Sequence, residues 1–166
     1  MNVLHQYWSH TTRQTTLFDS FIRICARHKL FFNFISMKIG IVWATGAVGQ
    51  ELLPLLKKRD FPVWELRLFG SEKSADRTIE TPYGTRVIQL LSEAGIQWLD
   101  AIFFAASAEV SRAWCLRAAE KWILCVDKSS AFRSNPDIPL VVPEVNQETI
   151  GEHLIKIGRA HVWTPV

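Results

Sequence analysis

The stretch Lys38–Lys58, KIGIVWATGAVGQELLPLLKK, decides the fold class of this chain. Lys38 to Val42 is a short apolar run of the kind that becomes a buried strand. Ala44 to Gly49 are turn-forming, and Val48 to Lys58 returns apolar residues at helical spacing, so a helix is expected there. Pro54 removes one backbone donor inside that helix and predicts a kink. A strand, a glycine turn and a helix in direct succession are the opening unit of an α/β domain.

Upstream of this unit, as far as Ser36, there is neither sustained helical period nor strand alternation, so Met37 is the expected start of the folded domain and residues 1–36 an upstream extension outside it. Downstream, Trp64 to Phe69 reads as a second strand. Thr81 to Gly84 (TPYG) reads as a turn joining two edge-like segments, Arg77 to Glu80 and Thr85 to Leu90. Asp100 to Ala105 (DAIFFA) is apolar on both faces, as central parallel strands are. Ser107 to Lys121 has helical spacing, and Ile123 to Val126 is the next strand. This alternation predicts a doubly wound, parallel Rossmann-type sheet with right-handed crossovers. No internal repeat or low-complexity tract interrupts it.

With 166 residues and 48% apolar content, the chain can bury one core but is short for a two-domain enzyme. The net charge of +3 is spread among acidic residues, which argues against a nucleic-acid or anionic-membrane surface. Cys25, Cys115 and Cys125 are odd in number, widely spaced and outside any CxxC or CxxH pattern. No disulfide framework or metal site is therefore expected, and a reducing cytoplasm is. Arg23, Arg27, His28 and Lys29 break the apolar patches of Leu17 to Ile35 well short of the ~18 residues a spanning helix needs. That stretch also lacks a secretory cleavage pattern.

A parallel sheet binds ligands at the carboxyl ends of its strands, and the first strand-to-helix turn sets backbone N–H groups where a pyrophosphate can sit. Gly46 would let the backbone approach phosphates, and Gly49 would let the helix pack closely on the strand. Against this, glycines also simply terminate strands. The end of the second strand selects the cofactor: an acidic residue there suits the ribose 2′-hydroxyl of NAD, whereas basic and hydroxyl groups suit a 2′-phosphate. In Gly70-Ser-Glu-Lys-Ser-Ala-Asp-Arg77, Ser71, Lys73, Ser74 and Arg77 offer donors, and Glu72 opposes them. NADP is favoured over NAD; the competing reading is a polar surface loop with no ligand.

Five segments, ATGAVGQELL, GSEKSA, DAIFFAAS, VDKSSAFR and IPLVVPEVN, occur in the order seen in aspartate-semialdehyde dehydrogenases, which this chain resembles from Met37 to Asn146. The related acetylglutamyl-phosphate reductases share the architecture and are the nearest alternative. The resemblance implies that Thr45, Gly46, Ala47, Val48 and Gly49 hold the pyrophosphate. Ser71 to Ser74 would face the adenosine phosphate, and Ala106 with Ser107 the nicotinamide ribose. It also implies that Arg133 holds the substrate's phosphate, a task suited to the planar guanidinium fork. The bland reading of Arg133 is a surface salt bridge, and Lys128 has no assigned role.

The implied reaction is NADPH-dependent reduction of an acyl phosphate, aspartyl-β-phosphate, to aspartate semialdehyde with release of phosphate. In the family a cysteine thiolate forms a thioester that hydride reduces, while a histidine handles protons. That cysteine lies in an Asn-Cys-Ser/Thr context after the VPEVN segment, and this sequence does not reach such a motif. No catalytic residue is therefore assigned: Cys115 and Cys125 read as small core residues, and His153 and His161 receive no role. Residues 37–156 are expected to be the dinucleotide-binding domain of a homo-oligomeric enzyme, inactive and poorly soluble alone. A non-catalytic nucleotide-binding module and a plain α/β domain without ligand are the competing readings.

Ile157 to Val166 (IGRAHVWTPV) resembles the translation of a short-read sequencing adapter in which a UGA codon is rendered as tryptophan, and is expected not to be native protein. The same decoding would explain seven tryptophans beside only eight glycines. Trp43, Trp98 and Trp122 stand where the resembling family usually has glycine, and Trp64 and Trp114 are further candidates. Trp8 is expected to mark a read-through stop upstream of Met37.

Overall fold

The computed structural model describes residues 36–141, Asn146 and 155–158. The expected upstream extension, apart from Ser36, lies outside the described residues, as do Cys25, His153 and His161. Strand β1 spans Met37–Val42, helix α1 Ala47–Lys58, β2 Val63–Gly70, β3 Thr78–Ile79 and β4 Arg86–Leu90. A short helix α2 (Glu93–Ile96) follows, then β5 (Ala101–Phe104), α3 (Ala108–Glu120), β6 (Leu124–Asp127), β7 (Leu140–Val141) and β8 (Ile155–Gly158).

The described strands form one eight-stranded sheet in the order β3-β4-β2-β1-β5-β6-β8-β7. Only the β3/β4 pair, closed by the Thr81–Gly84 turn, is antiparallel; the other pairs run parallel. Successive strands leave β1 toward β2 on one side and toward β5 on the other. The β1/β5 boundary is therefore the point where the winding reverses, the place at the strand carboxyl ends where sheets of this topology take their ligands.

Both faces of the central strands are apolar because both are covered. Ile39, Ile41, Ala101, Phe103, Leu124 and Val126 join Leu52, Leu53 and Leu56 of α1 in one buried cluster. The intervening residues Val42, Ile102, Phe104 and Cys125 join Cys115 and Ala118 of α3 in the other. The period of two along each strand thus sends alternate side chains to opposite helix layers, which is the doubly wound arrangement. Helix α1 runs through Pro54. Helix α2 is capped by the Ser92 hydroxyl, which accepts from Gly95 N, and is tied to β2 by Arg67, whose Nη1 donates to the Gly95 and Gln97 carbonyls at 2.8 and 2.9 Å. Strand β8 pairs with both β6 and β7 and includes Ile157 and Gly158, so the paired segment runs across the expected boundary at Lys156. No helix among the described residues is long and apolar enough to cross a membrane.

Candidate cofactor site

Four adjacent strands, β2, β1, β5 and β6, deliver their carboxyl ends to one edge of the sheet, and backbone hydrogen bonds fix the loops that leave them side by side. Trp43 N and Ala44 N both donate to Phe69 O, at 2.8 and 3.1 Å; Ala105 N donates to Val42 O, and Lys128 N to Phe104 O. Of the residues expected from sequence to face a dinucleotide, Thr45, Gly46, Ser71–Ser74, Ala106 and Ser107 lie on these loops, Ala47, Val48 and Gly49 form the first turn of α1, and Arg133 lies on the loop after β6.

The β1 loop turns through a Gly46 N to Trp43 O hydrogen bond of 3.0 Å. Gly46 is the N-cap of α1 and makes no side-chain cap, and the first turn holds no acidic residue. The other two described helices are capped by Ser92 and Ser107. The amide end of α1, with the positive end of its dipole, is therefore the one presented without a side-chain acceptor. A Cβ on Gly49 would lie 2.5 Å from Trp43 O and 2.7 Å from Ala44 Cα, contacts with backbone that cannot yield. Gly49 thus permits α1 to press onto the turn. Gly46 has an extended backbone (φ −74°), and a Cβ there would meet Trp43 O at 3.3 Å and the Trp43 indole Cδ1 at 3.5 Å. The indole therefore stands beside Gly46.

The β2 loop folds on itself: Ser74 N and Ser74 Oγ both donate to Ser71 O, at 2.9 and 3.1 Å, and the two hydroxyls lie 3.3 Å apart. With the Ser74 proton on Ser71 O, the Ser71 hydroxyl is the donor of the 3.3 Å contact to Ser74 Oγ, and it can donate outward only by turning away from that contact. Lys73 is exposed beside them. Ser107, after β5, caps α3 by accepting from Val110 N at 3.4 Å.

Asp127, at the end of β6, was given no role from sequence. It is fully buried. Its Oδ1 accepts from Ser111 Oγ at 2.8 Å and from Ser129 N at 2.9 Å, and its Oδ2 accepts from Ser129 Oγ at 2.7 Å. Ser129 Oγ in turn accepts from Ala131 N at 3.0 Å. The carboxylate thereby pins the first half of the loop that carries exposed Arg133 to helix α3. The aspartate two residues before a serine is an Asx-turn signal that could have marked it. Cys115 and Cys125 are both fully buried, and Cys125 Sγ donates to Cys115 O. Burial drives both thiols well above their ordinary range, with the Asp127 carboxylate adding to the effect. Neither is a nucleophile in this fold.

The model of the semialdehyde dehydrogenase NAD-binding domain matches residues 38–153. The chain belongs to the semialdehyde dehydrogenase family. It is 39% identical over 117 residues to an aspartate-semialdehyde dehydrogenase of Synechocystis, covering 70% of this chain and 35% of that relative. Over 114 residues it is 42% identical to aspartate-semialdehyde dehydrogenase 2 of Vibrio cholerae, covering 69% and 34%. The chain thus spans about a third of the length of the curated relatives it matches. Among solved structures, aspartate semialdehyde dehydrogenase II of V. cholerae, complexed with ASA, superposes with a TM-score of 0.69 at 39% identity, covering 74% of this chain and 41% of that one. The Candida albicans enzyme with NADP superposes at 0.57 with 29% identity, covering 69% and 35%. The semialdehyde dehydrogenase domain of this chain is therefore an NAD(P)-binding Rossmann-like unit of an oxidoreductase family.

Proposed function

We propose that this chain forms the NADP-binding domain of an aspartate-semialdehyde dehydrogenase, which reduces aspartyl-β-phosphate to the semialdehyde and releases phosphate. The observation that carries the reading is the side-by-side arrangement of the β1, β2, β5 and β6 loops around an α1 N-terminus that no side chain caps. Thr45, Gly46, Ala47, Val48 and Gly49 hold the pyrophosphate through backbone amides and the helix dipole. Ser71, Lys73 and Ser74 bind the 2′-phosphate: Lys73 supplies charge, and the Ser71 hydroxyl turns from Ser74 to supply a proton. Ala106 and Ser107 border the nicotinamide ribose. Arg133 grips the phosphate of the acyl-phosphate substrate, presented by the loop that Asp127 holds. The cofactor supplies the hydride. Thiolate chemistry belongs to the cysteine of the family's Asn-Cys-Ser/Thr motif, since the buried thiols of Cys115 and Cys125 stay protonated. The complete enzyme assembles as a homo-oligomer.

The test is a titration of NADPH and NADH against the complete enzyme and its Lys73→Ala variant. The expected result is tighter binding of NADPH, with Lys73→Ala weakening NADPH about tenfold and NADH hardly at all, as loss of one charge-assisted contact implies. Equal loss for both nucleotides would refute the assignment of Lys73 to the 2′-phosphate.

A further inference from the structure

Five residues other than glycine adopt positive φ among the described residues: Asp60 (49°), Asp76 (63°), Trp43 (66°), Trp98 (67°) and Trp122 (62°). Aspartate tolerates the left-handed region because its short side chain can bond locally; a bulky aromatic there is an outlier. Three of the five positions are nevertheless tryptophan; Trp98 and Trp122 sit where a named turn asks for glycine, and Trp43 is left-handed where β1 enters the glycine turn.

Trp122 follows the C-cap of α3. Its N–H donates to Ala119 O at 2.9 Å and that of Ile123 donates to Ala118 O at 3.1 Å, which is a Schellman closure with Trp122 at the left-handed position. The end of α1 closes in the same way through Asp60 N to Lys57 O and Phe61 N to Leu56 O, with aspartate in that place. Trp98 is the third residue of the Ile96–Leu99 turn, closed by Leu99 N to Ile96 O at 3.3 Å. Gln97 before it has φ −60° and ψ 135°, so the turn is type II, whose third position favours glycine. Trp43 opens the phosphate turn, and its carbonyl lies where any Cβ on Gly49 would collide. At two of the positions the indole does not repay the backbone, Trp98 being 73% and Trp122 79% exposed, whereas the half-buried indole of Trp43 packs against the second core cluster and stands against Gly46. Trp64, in β2, and Trp114, in α3, have no such backbone.

We infer that positions 43, 98 and 122 carry glycine in the protein as its source cell makes it. One codon decoded there as glycine, and written here as tryptophan, accounts for all three. At position 43 the consequence is functional: glycine removes the indole from beside Gly46 and opens the turn to a pyrophosphate. This goes beyond the proposed activity and does not depend on it.

The experiment is peptide mass spectrometry of the native protein after trypsin, which places the three positions in separate peptides, 39–57, 87–112 and 122–128. Glycine in all three is expected; tryptophan at any of them overturns the inference for that position. A second measurement uses the full chain with Trp98→Gly and Trp122→Gly. Each change should raise the folding equilibrium constant roughly 5–30-fold, the strain of one left-handed residue, and no gain from either would overturn the conformational basis of the inference.

Discussion

Replacing Asp127 by alanine removes a carboxylate that accepts three hydrogen bonds at 2.7 to 2.9 Å while fully buried. Hydrogen bonds to charged acceptors contribute about 1.5–3 kcal/mol each, but removing the carboxylate also removes its desolvation cost. What remains is the exposure of three donors without acceptors: Ser111 Oγ–H, Ser129 N–H and Ser129 Oγ–H. The two hydroxyls can rotate to seek other acceptors, and the amide cannot. A net loss of about 3–5 kcal/mol is expected, the range for breaking a buried charged network from one side. Asp127→Asn should cost only about 1 kcal/mol. Its Oδ1 keeps the bonds from Ser111 and Ser129 N, and its amide nitrogen can donate to Ser129 Oγ once that hydroxyl turns. Urea unfolding of the domain measures both losses, and substrate KM in the complete enzyme reports whether the Arg133 loop has moved. An alanine variant within about 0.5 kcal/mol of the parent would refute the reasoning, as would an asparagine variant as damaged as alanine.

Gly49→Ala should destabilise by about 1–3 kcal/mol in chemical denaturation, because the new Cβ meets Trp43 backbone at 2.5 Å; an unchanged midpoint would show that α1 can lift off at no cost. Cys115 and Cys125 should resist a thiol reagent at pH 8 in the folded protein and react once it is unfolded, and prompt labelling of both would contradict their burial. Since their folded pKa values lie above the unfolded ones, their contribution to stability is complete below the ordinary thiol range and declines as pH rises through it, so unfolding should become easier above about pH 8.5. The Tyr83 hydroxyl is buried without a hydrogen-bond partner, and burial, with Asp60 nearby, pushes its pKa up to about 12. Tyr83→Phe should therefore be neutral or stabilising by up to about 1 kcal/mol, and a clear loss in thermal unfolding would reveal a hidden partner.

The sequence made the first unit legible because two different periods meet there with a glycine turn between them. β5 was legible as a central strand because a run apolar on both faces has few other uses. α2 escaped notice because four residues are too few to show a helical period. β7 and β8 escaped because short strands owe their existence to partners far along the chain, as β8 does to Cys125–Asp127. The segments proposed as cofactor loops are recognisable in the sequence as followers of strand ends, but Asp127 is not recognisable as their support. Its significance lies in burial and in three donors arriving from α3 and its own loop, and neither is written in the order of residues.

By itself, then, the sequence determined the alternation of strands and helices, the glycines that punctuate them and the family these segments resemble, since each is a property of neighbours along the chain. Only the tertiary structure decided the strand order, the common edge at which four loops meet, and which tryptophans stand in left-handed turns. Those depend on where the chain must reverse to reach distant partners. The positive φ at positions 98 and 122 belongs to the local closures that let the chain turn from α2 into β5 and from α3 into β6.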